Sequence, residues 1–374
     1  MPSRPVLVVV GTRPEAIKLA PLVQQLRRSS IAARVTVCVS GQHSEAVHQQ
    51  LSEFGIVPEI MCRTLRHPVD LGRLVRCLLD QCGGVMDQLK PTLVIVQGDT
   101  ATTLAAARAA ARRGARTAHV EAGLRTGSLA SPFPEEAYRK AIATTASFNF
   151  APTPLAAANL TREGVTPDLI SITGNTGVDA FHAVSDLVHR PRVARNRRVL
   201  VSLHRREILG APLQRMFEAV GQLAHGYPSV EFVCHVNENP SVRQAFDAAM
   251  RRRPSANIVV QAPASYVQFL NLIASCDFLM TDSGGIQEEA PLLGKPVLVL
   301  REHTDRSEAV DEGVARLVGI RPEAAVSAAA ELIENEKLYE SMARVCSPFG
   351  DGLAALRICR RVVDLCEQHG QATR

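Results

Sequence analysis

Four side chains that could transfer protons stand at the ends of strand-like segments or at the start of a helix-like one. Glu121 ends the apolar segment 116–121, Asp99 and His204 each follow another such segment, and Glu135 opens a helix-like segment after two prolines. Burying a glutamate costs several kcal/mol unless the group is paired or protonated. Carboxylates and an imidazole in such places are typical general acids and bases. The residue types therefore predict acid–base chemistry.

Asp99 also has a purely structural interpretation. It precedes Thr100 and the helix-like segment 101–113, so either side chain could cap that helix. Glu135 and Glu136 raise a related question, because acids in a first turn complement the helix dipole. Adjacent helical side chains diverge by about 100°, so the two glutamates cannot share one role.

Two segments have the composition of anion-binding turns. In GTRPEAIK, residues 11–18, a strand leads into a helix whose start is flanked by Arg13 and Lys18. Free backbone amides, the helix dipole and a guanidinium would together favour a phosphate there, although Lys18 could equally be a surface residue. In TDSGGIQEEA, residues 281–290, two glycines open a helix. Both segments predict phosphate binding.

Composition narrows the class of protein. The 374 residues are 46% hydrophobic and 21% charged, with a formal net charge of +5 and no Trp, which is ordinary for a soluble protein. The sequence contains no basic face with interleaved aromatics, so we expect no nucleic-acid binding. The sequence lacks GxGxxG, GxxxxGK[ST] and HExxH, so we expect no cofactor and no metal. Scattered cysteines without CxxC, no signal peptide and no membrane-length apolar run predict a cytoplasmic protein without membrane contact.

Short segments rich in β-branched residues alternate with helix-like segments along the whole chain. Six strands are predicted in the first half, at 6–10, 35–40, 92–97, 116–121, 148–153 and 169–174. Six more are predicted in the second half, at 198–203, 230–236, 257–262, 277–282, 296–300 and 315–319. Continuous apolar strands separated by helices predict parallel sheets covered on both faces. The expected fold class is therefore α/β, with two Rossmann-like domains.

A charge-rich segment at 189–198 follows a helix predicted at 179–188 and separates the two halves. We expect an N-terminal domain over 1–188, a C-terminal domain over 189–352, and a C-terminal helical segment over 353–374 that could pack on the first domain. Ligands of open α/β sheets bind outside the carboxyl ends of the strands. Two facing domains would then gather the polar strand-end residues in one cleft.

Seven motifs together resemble the bacterial non-hydrolysing UDP-N-acetylglucosamine 2-epimerases. They are GTRPEAIK, GDTATT, HVEAGLRTG, SPFPEE, GNTGVD, HRRE and DSGGIQEEAPLLGKPVLVLRE, in chain order between residues 11 and 302. The resemblance covers nearly the whole chain. It implies a fold of the glycosyltransferase-B type, reversible conversion of UDP-GlcNAc into UDP-ManNAc without a cofactor, and a homodimer.

The resemblance also implies a mechanism. The C2 hydrogen of the sugar is weakly acidic, so inversion at C2 needs either oxidation or elimination, and the missing NAD motif favours elimination. A carboxylate would remove the C2 proton while UDP leaves C1 to give 2-acetamidoglucal, and UDP would add back after protonation of the opposite face. Two faces need at least two acid–base groups. The residues implied for this chemistry are Asp99, Glu121, Glu135 and His204.

Roles in substrate binding follow from the same resemblance. The turn Ser283–Gly285 is implied to face the diphosphate, and Glu289 to accept the ribose hydroxyls, with Glu288 a solvated or ion-paired neighbour. The segment Tyr266–Phe269 resembles the loop that holds uracil. The full set implied for binding is Arg13, Lys18, Gln42, Arg139, Asn175, Arg206, His235, Asn237, Phe269, Ser283, Gly284, Gly285, Glu289 and Arg306.

The chain departs from the usual family pattern at Ser44, Tyr138, Gly177 and Ile208, and segment 61–71 lacks the Gln-small-Leu element that belongs to an allosteric UDP-sugar site in the family. Three other functions stay open at this point. They are a hydrolysing 2-epimerase that releases UDP and ManNAc, a UDP-sugar glycosyltransferase on the same fold, and an inactive UDP-sugar sensor.

Overall fold

A computed structural model gives the fold and describes residues 5–65, 70–189, 197–236 and 239–372. The strands are β1 (Val6–Val10), β2 (Val35–Val39), β3 (Ile60–Met61), β4 (Leu93–Gln97), β5 (Arg116–Val120), β6 (Phe148–Ala151), β7 (Ile170–Ile172), β8 (Arg198–Ser202), β9 (Glu231–His235), β10 (Ile258–Gln261), β11 (Phe278–Thr281), β12 (Val297–Val299) and β13 (Ala315–Leu317). The α-helices are α1 (Arg13–Arg27), α2 (Ser44–Glu53), α3 (Leu71–Leu89), α4 (Ala101–Arg112), α5 (Glu135–Ala143), α6 (Pro154–Arg162), α7 (Thr176–Val184), α8 (Ala211–Gly226), α9 (Pro240–Arg252), α10 (Tyr266–Ser275), α11 (Gly284–Glu289), α12 (Ser307–Asp311), α13 (Pro322–Glu334), α14 (Glu336–Met342) and α15 (Ala354–Ala372).

The chain divides into two compact units, each built on one parallel sheet. Unit 1 runs to Ala183 and resumes at Phe349, and unit 2 runs from Val184 to Pro348. The strand order is β3-β2-β1-β4-β5-β6-β7 in unit 1 and β10-β9-β8-β11-β12-β13 in unit 2. The α/β class with two Rossmann-like units that the sequence predicts is confirmed.

Both sheets are doubly wound, and the order of strands reverses between β1 and β4 in unit 1 and between β8 and β11 in unit 2. In such sheets a crevice opens at the carboxyl ends of the strands where the order reverses, and ligands bind there. The segments that follow these four strands contain Arg13, Asp99, His204 and the turn at Ser283. The topology therefore predicts that ligands bind at this edge of each sheet.

The two strands at the reversal point of unit 1 are fully buried, and helices cover the sheets of both units. Every residue of β1 and of β4 is buried, because helices cover both faces of a parallel sheet. In unit 2 the covering helices α8 and α9 meet through Phe217 and Phe246, whose rings contact edge to face at 5.2 Å. In unit 1 the C-terminal helix α15 packs against α1. No helix in the described part of the chain is both long enough and apolar enough to cross a membrane.

From the sequence, one strand is missed and the extent of one helix is misjudged. Strand β3 was not predicted, because two residues, one of them exposed, carry no readable hydrophobic alternation. The helix predicted at 179–188 instead runs over Thr176–Val184 and is followed by a 3₁₀ turn at Ser185–Leu187. Asp179 lies inside this helix rather than at its start, and its carboxylate accepts backbone amides from the start of α15. Most of the charge-rich segment predicted as a linker, residues 190–196, lies outside the described residues.

Candidate active site

A buried glutamate occupies the turn after β1. Glu15 is 2% exposed and accepts the backbone amides of Gly11 at 2.6 Å and Thr12 at 2.7 Å. It also accepts the hydroxyls of Thr100 at 2.5 Å and Thr103 at 2.9 Å. The expectation of free amides in GTRPEAIK is therefore wrong for these two groups. Glu15 joins the β1–α1 turn to the β4–α4 turn.

Burial raises the pKa of Glu15, and its four hydrogen bonds oppose that rise. The sequence reasoning did not include Glu15 among the site residues, although a signal existed. Thr12 and Glu15 have the Thr-x-x-Glu spacing of a capping box, in which the acid returns to the N-cap amide. That spacing would have identified the glutamate as a structural anchor.

Asp99 does not cap helix α4. The cap is Thr100, whose hydroxyl accepts the amide of Thr103 at 3.2 Å. The carboxylate of Asp99 instead pairs with the guanidinium of Arg139 at 2.7 Å, and Arg139 also contacts Glu136 at 3.1 Å. Glu136 is fully buried, while Glu135, its neighbour at the first position of α5, is partly exposed. The structure thus brings Asp99 and Arg139 together and gives the two glutamates different surroundings.

Glu121 is held in an unusual backbone conformation. Its φ is +64°, in the left-handed region that side chains with a Cβ seldom adopt. Lys18 forms an ion pair with Glu121 Oε2, and Asn175 Nδ2 donates to the same oxygen at 3.0 Å. Asn175 is fixed in turn by the amide of Gly177, which donates to its Oδ1 at 2.8 Å. Lys18 is 7% exposed, so its interpretation as a surface residue is wrong.

Two further predicted residues lie at the same edge of the unit 1 sheet. Arg13 begins α1, and its Nε donates to Gln50 Oε1 at 2.9 Å. Gln42 follows β2, and its Oε1 accepts both the amide of Thr102 at 3.2 Å and its hydroxyl at 2.8 Å. Because Thr102 lies in the first turn of α4, Gln42 is anchored beside the segment that presents Asp99.

In unit 2 a buried aspartate holds the segment that carries His204. Asp282, directly after β11, is 1% exposed, and its Oδ2 accepts the amides of His204 and Arg205, each at 2.9 Å. Its Oδ1 lies 3.3 Å from His204 Nδ1. Asp282 is not among the site residues predicted from the sequence. The contact joins the segments after β8 and β11, on either side of the reversal point.

The glycine turn after β11 has fewer free amides than expected. Ser283 is the N-cap of the short helix α11, and its amide already donates to the Thr281 hydroxyl at 3.0 Å. Gly284 and Gly285 are the first residues of that helix. A Cβ on Gly284 would lie 3.2 Å from the guanidinium carbon of Arg306. The arginine therefore packs closely against the turn.

The two glutamates of α11 also have different surroundings. Glu288 is 2% exposed and pairs with Arg306 at 2.8 Å, so the ion-paired interpretation is confirmed and the solvated one is wrong. Arg306 also pairs with Asp305. Glu289 is partly exposed and acts electrostatically on the buried hydroxyl of Tyr266. Burial and the neighbouring Glu289 raise the pKa of Tyr266 well above its usual value.

Of the remaining residues predicted for substrate binding in unit 2, the structure brings only some together. The rings of His235 and Phe269 lie 5.0 Å apart at an angle of 56°, so the structure brings these two together. Arg206 is exposed at the start of a 3₁₀ turn. Asn237 lies outside the described residues. Within the described ranges no three His, Cys, Asp or Glu side chains are grouped as metal ligands.

The two doubly wound units, each with ionisable side chains at the edge where the strand order reverses, define an α/β protein of the glycosyltransferase-B fold class. The chain matches the family model described as UDP-N-acetylglucosamine 2-epimerase over residues 24–363. It therefore belongs to the UDP-N-acetylglucosamine 2-epimerase family, as its motifs indicated.

Individual relatives are similar over almost their entire length. A probable UDP-N-acetylglucosamine 2-epimerase of Ralstonia nicotianae is 41% identical over 370 residues, which cover 96% of this chain and 98% of the relative. The UDP-N-acetylglucosamine 2-epimerase of Escherichia coli K12 is 40% identical over 366 residues, covering 94% and 96%. The crystal structure of the Neisseria meningitidis enzyme bound to UDP-GlcNAc superposes with a TM-score of 0.90 at 35% identity, covering 96% of this chain and 99% of that one.

Proposed function

We propose that this protein interconverts UDP-GlcNAc and UDP-ManNAc without hydrolysis, by eliminating UDP and adding it back. Glu121 carries the proposal. A glutamate at φ +64° costs about 1–3 kcal/mol of backbone strain, and such strain persists where surrounding contacts enforce it, commonly at functional sites. Here Lys18 and Asn175 both hold its Oε2. Family membership and the Neisseria relative bound to UDP-GlcNAc support the choice of substrate.

The proposed reaction begins with removal of the C2 proton by a carboxylate. The electron pair of the C2–H bond forms the C1–C2 double bond, and the C1–O bond breaks, so its electrons leave with UDP. In the return step a proton is delivered to the other face of C2, and the diphosphate oxygen bonds to C1 again. No water is consumed and no electron is exchanged with a carrier.

The carboxylates of unit 1 supply the two faces of C2. Lys18 and Asn175 occupy one oxygen of Glu121, which fixes the direction of its other oxygen and keeps the group pre-oriented. Asp99 is oriented in the same way by the fork of Arg139, which reaches it through Nε and a terminal nitrogen. Positioned groups of this kind typically contribute about 10²–10⁴-fold to a proton-transfer step.

Unit 2 is proposed to hold the nucleotide. Its glycine turn and the neighbouring arginines would stabilise the charge that develops on the leaving diphosphate. Glu289 would accept hydrogen bonds from the ribose hydroxyls, since a carboxylate is a strong acceptor for hydroxyl donors. The adjoining rings of His235 and Phe269 provide an aromatic surface for the base. His204 would donate a proton to the leaving diphosphate.

One experiment separates this proposal from the open alternatives. The protein is incubated with UDP-GlcNAc in D2O and followed by NMR. We expect deuterium at C2 together with UDP-ManNAc. Accumulation of UDP and free ManNAc would instead indicate a hydrolysing epimerase. Absence of C2 exchange, in a protein that still binds UDP, would reject both epimerase functions and leave a glycosyltransferase or a sensor.

A further inference from the structure

The carboxylate of Asp282 has two oxygens with different partners. Oδ2 accepts two backbone amides, those of His204 and Arg205, each at 2.9 Å. Oδ1 is buried and has no hydrogen-bond partner within the described part of the chain. The imidazole nitrogen Nδ1 of His204 lies 3.3 Å from Oδ1. One oxygen is therefore satisfied by the backbone, and the other faces an imidazole.

A buried carboxylate oxygen without a donor is costly. Leaving a buried polar group unsatisfied costs about 1–3 kcal/mol, and more for a charged one. A proton on His204 Nδ1 would remove that cost, because a rotation of the ring would let Nδ1–H donate to Oδ1, which lies 3.3 Å away. The geometry thus favours the tautomer with hydrogen on Nδ1.

We propose that Asp282 is a positioning residue, which holds His204 through Nδ1–H and so leaves Nε2 to carry the proton that is given to the leaving diphosphate. This rests on the proposed function. When the C1–O bond breaks, the Nε2 proton passes to the diphosphate oxygen, and it returns to Nε2 when that oxygen bonds to C1 again. Asp282 stays ionised throughout and exchanges no proton itself.

The charged groups around this pair explain why the aspartate is needed. Arg205 Nε donates to the backbone carbonyl of Asp282 at 3.2 Å, so a cation lies beside the imidazole. Arg205 and Arg306 both act electrostatically on Arg301, which follows β12 in the same sheet. Asp282 is the carboxylate in contact with the imidazole among these cations, so it supplies the acceptor for Nδ1–H.

A purely structural role for Asp282, as an anchor of the segment after β8, makes a different prediction. Asp179 in unit 1 provides the matched control. It is also buried and accepts two backbone amides, from Ala354 at 3.2 Å and Ala355 at 2.8 Å, with one oxygen on each. Replacing it removes the same kind of anchor from a carboxylate that is not directed at His204.

The decisive substitution is Asp282→Asn. The amide oxygen of asparagine must take the two backbone donors, so its NH₂ group faces the ring. An NH₂ donor requires an unprotonated Nδ1 and therefore forces the hydrogen onto Nε2. The change is nearly isosteric, yet it should reverse the tautomer. A role as anchor alone would leave the tautomer unchanged.

The test uses the full-length protein labelled with ¹⁵N-histidine, with the His204 signals identified by His204→Gln. At about pH 8, where an ordinary histidine is largely neutral, we expect the Nδ1–H pattern in the wild type and the Nε2–H pattern in Asp282→Asn. The kcat with UDP-GlcNAc should fall about 100-fold or more in Asp282→Asn while KM changes less than about threefold. Asp179→Asn should keep the Nδ1–H pattern and a kcat within about threefold of the wild type.

Three results would overturn the inference: an Nε2–H pattern in the wild type, an unchanged tautomer in Asp282→Asn, or an equal loss of kcat in Asp179→Asn. The wild-type spectrum decides the tautomer even if Asp282→Asn does not fold. Failure of the proposed function is separate, because it shows as missing C2 exchange in the wild type whatever tautomer His204 adopts.

Discussion

The two units each contain a pair of adjacent glutamates, and the fold treats the two pairs alike. In unit 1 the buried member is Glu136, which contacts Arg139, and in unit 2 it is Glu288, which contacts Arg306. Each of these arginines is itself at least nine-tenths buried. Each glutamate therefore compensates an internal guanidinium that would be costly alone. The partner glutamates, Glu135 and Glu289, are the more exposed members.

The difference lies in the aspartate that each arginine contacts on its other side. The side chain of Asp99 in unit 1 is 27% exposed, whereas that of Asp305 in unit 2 is 0% exposed. The same Glu–Arg–Asp arrangement thus leaves its aspartate accessible in one unit and sealed in the other. Both aspartates are paired with an arginine, but only Asp99 is exposed enough to contact a substrate. The two carboxylates therefore differ in solvent exposure and not in ion pairing.

The largest expected effect tests the proposed division between carbon chemistry in unit 1 and nucleotide binding in unit 2. Glu121→Gln should lower C2 deuterium exchange by about 10²–10⁴-fold, because the amide cannot accept the proton. UDP affinity, measured by calorimetry, should stay within about threefold of the wild type. Glu289→Gln should instead weaken UDP binding about 10-fold, as expected for losing one hydrogen bond to a charged group. Equal loss of UDP affinity in both variants would contradict the division.

The next effect concerns the stability of unit 1 in acid. His119 is 1% exposed, and burial lowers its pKa from 6.5 to about 4. Between these values the unfolded chain binds a proton that the folded protein does not, so the free energy of unfolding falls as pH is lowered, by up to about 3 kcal/mol. Urea unfolding followed by circular dichroism from pH 7 to pH 4 should show this fall.

His119→Gln should flatten that pH dependence. The matched control is His225→Gln, because His225 in unit 2 is exposed. The control should leave the fall between pH 6.5 and pH 4 unchanged. An identical pH profile for the wild type and His119→Gln would show that His119 is not the group responsible.

The two buried glutamates provide a direct comparison of the units. Glu136→Gln and Glu288→Gln should each lower the free energy of unfolding by about 2 kcal/mol, since each leaves a buried arginine with one carboxylate fewer. Their kinetic effects should differ. Glu136→Gln should lower kcat, because Arg139 orients Asp99, and Glu288→Gln should raise KM, because Arg306 packs on the glycine turn. The same kinetic change in both variants would remove the distinction.

The smallest expected effect compares the two aspartates. Asp99→Asn should change the free energy of unfolding by less than about 1 kcal/mol, because its ion pair is partly solvated. Asp305→Asn should cost about 2 kcal/mol, because its sealed carboxylate pairs with both Arg301 and Arg306. Chemical denaturation of both variants measures the difference. A larger loss of stability for Asp99→Asn than for Asp305→Asn would mean that exposure of the aspartate does not distinguish the two Glu–Arg–Asp arrangements.

The regular elements could be predicted because their signal is local. Twelve of the thirteen strands in the described residues coincide with short apolar, β-branched segments. The thirteenth, β3, spans two residues and exists because it pairs with β2, a relation that its own sequence does not encode. The extent of α7 was misjudged for a similar reason, since the partner of Asp179 lies far away in the chain, at the start of α15.

Pairing between side chains was less predictable. The strand-end positions of Asp99, Glu121 and His204 were readable, but their partners come from distant segments. Glu121 and Lys18 are separated by 103 residues in sequence, and His204 and Asp282 by 78. No periodicity records such contacts, because they depend on which strands become neighbours in the sheet.

The sequence by itself determined the α/β class, the positions of the strands and the residue types at their carboxyl ends, since hydrophobic pattern and residue chemistry are local properties. Only the tertiary structure decided which amides are free, which glutamate of each pair is buried, and which acid faces which base. Those outcomes depend on packing, because a buried charge must find a partner wherever the fold brings one close.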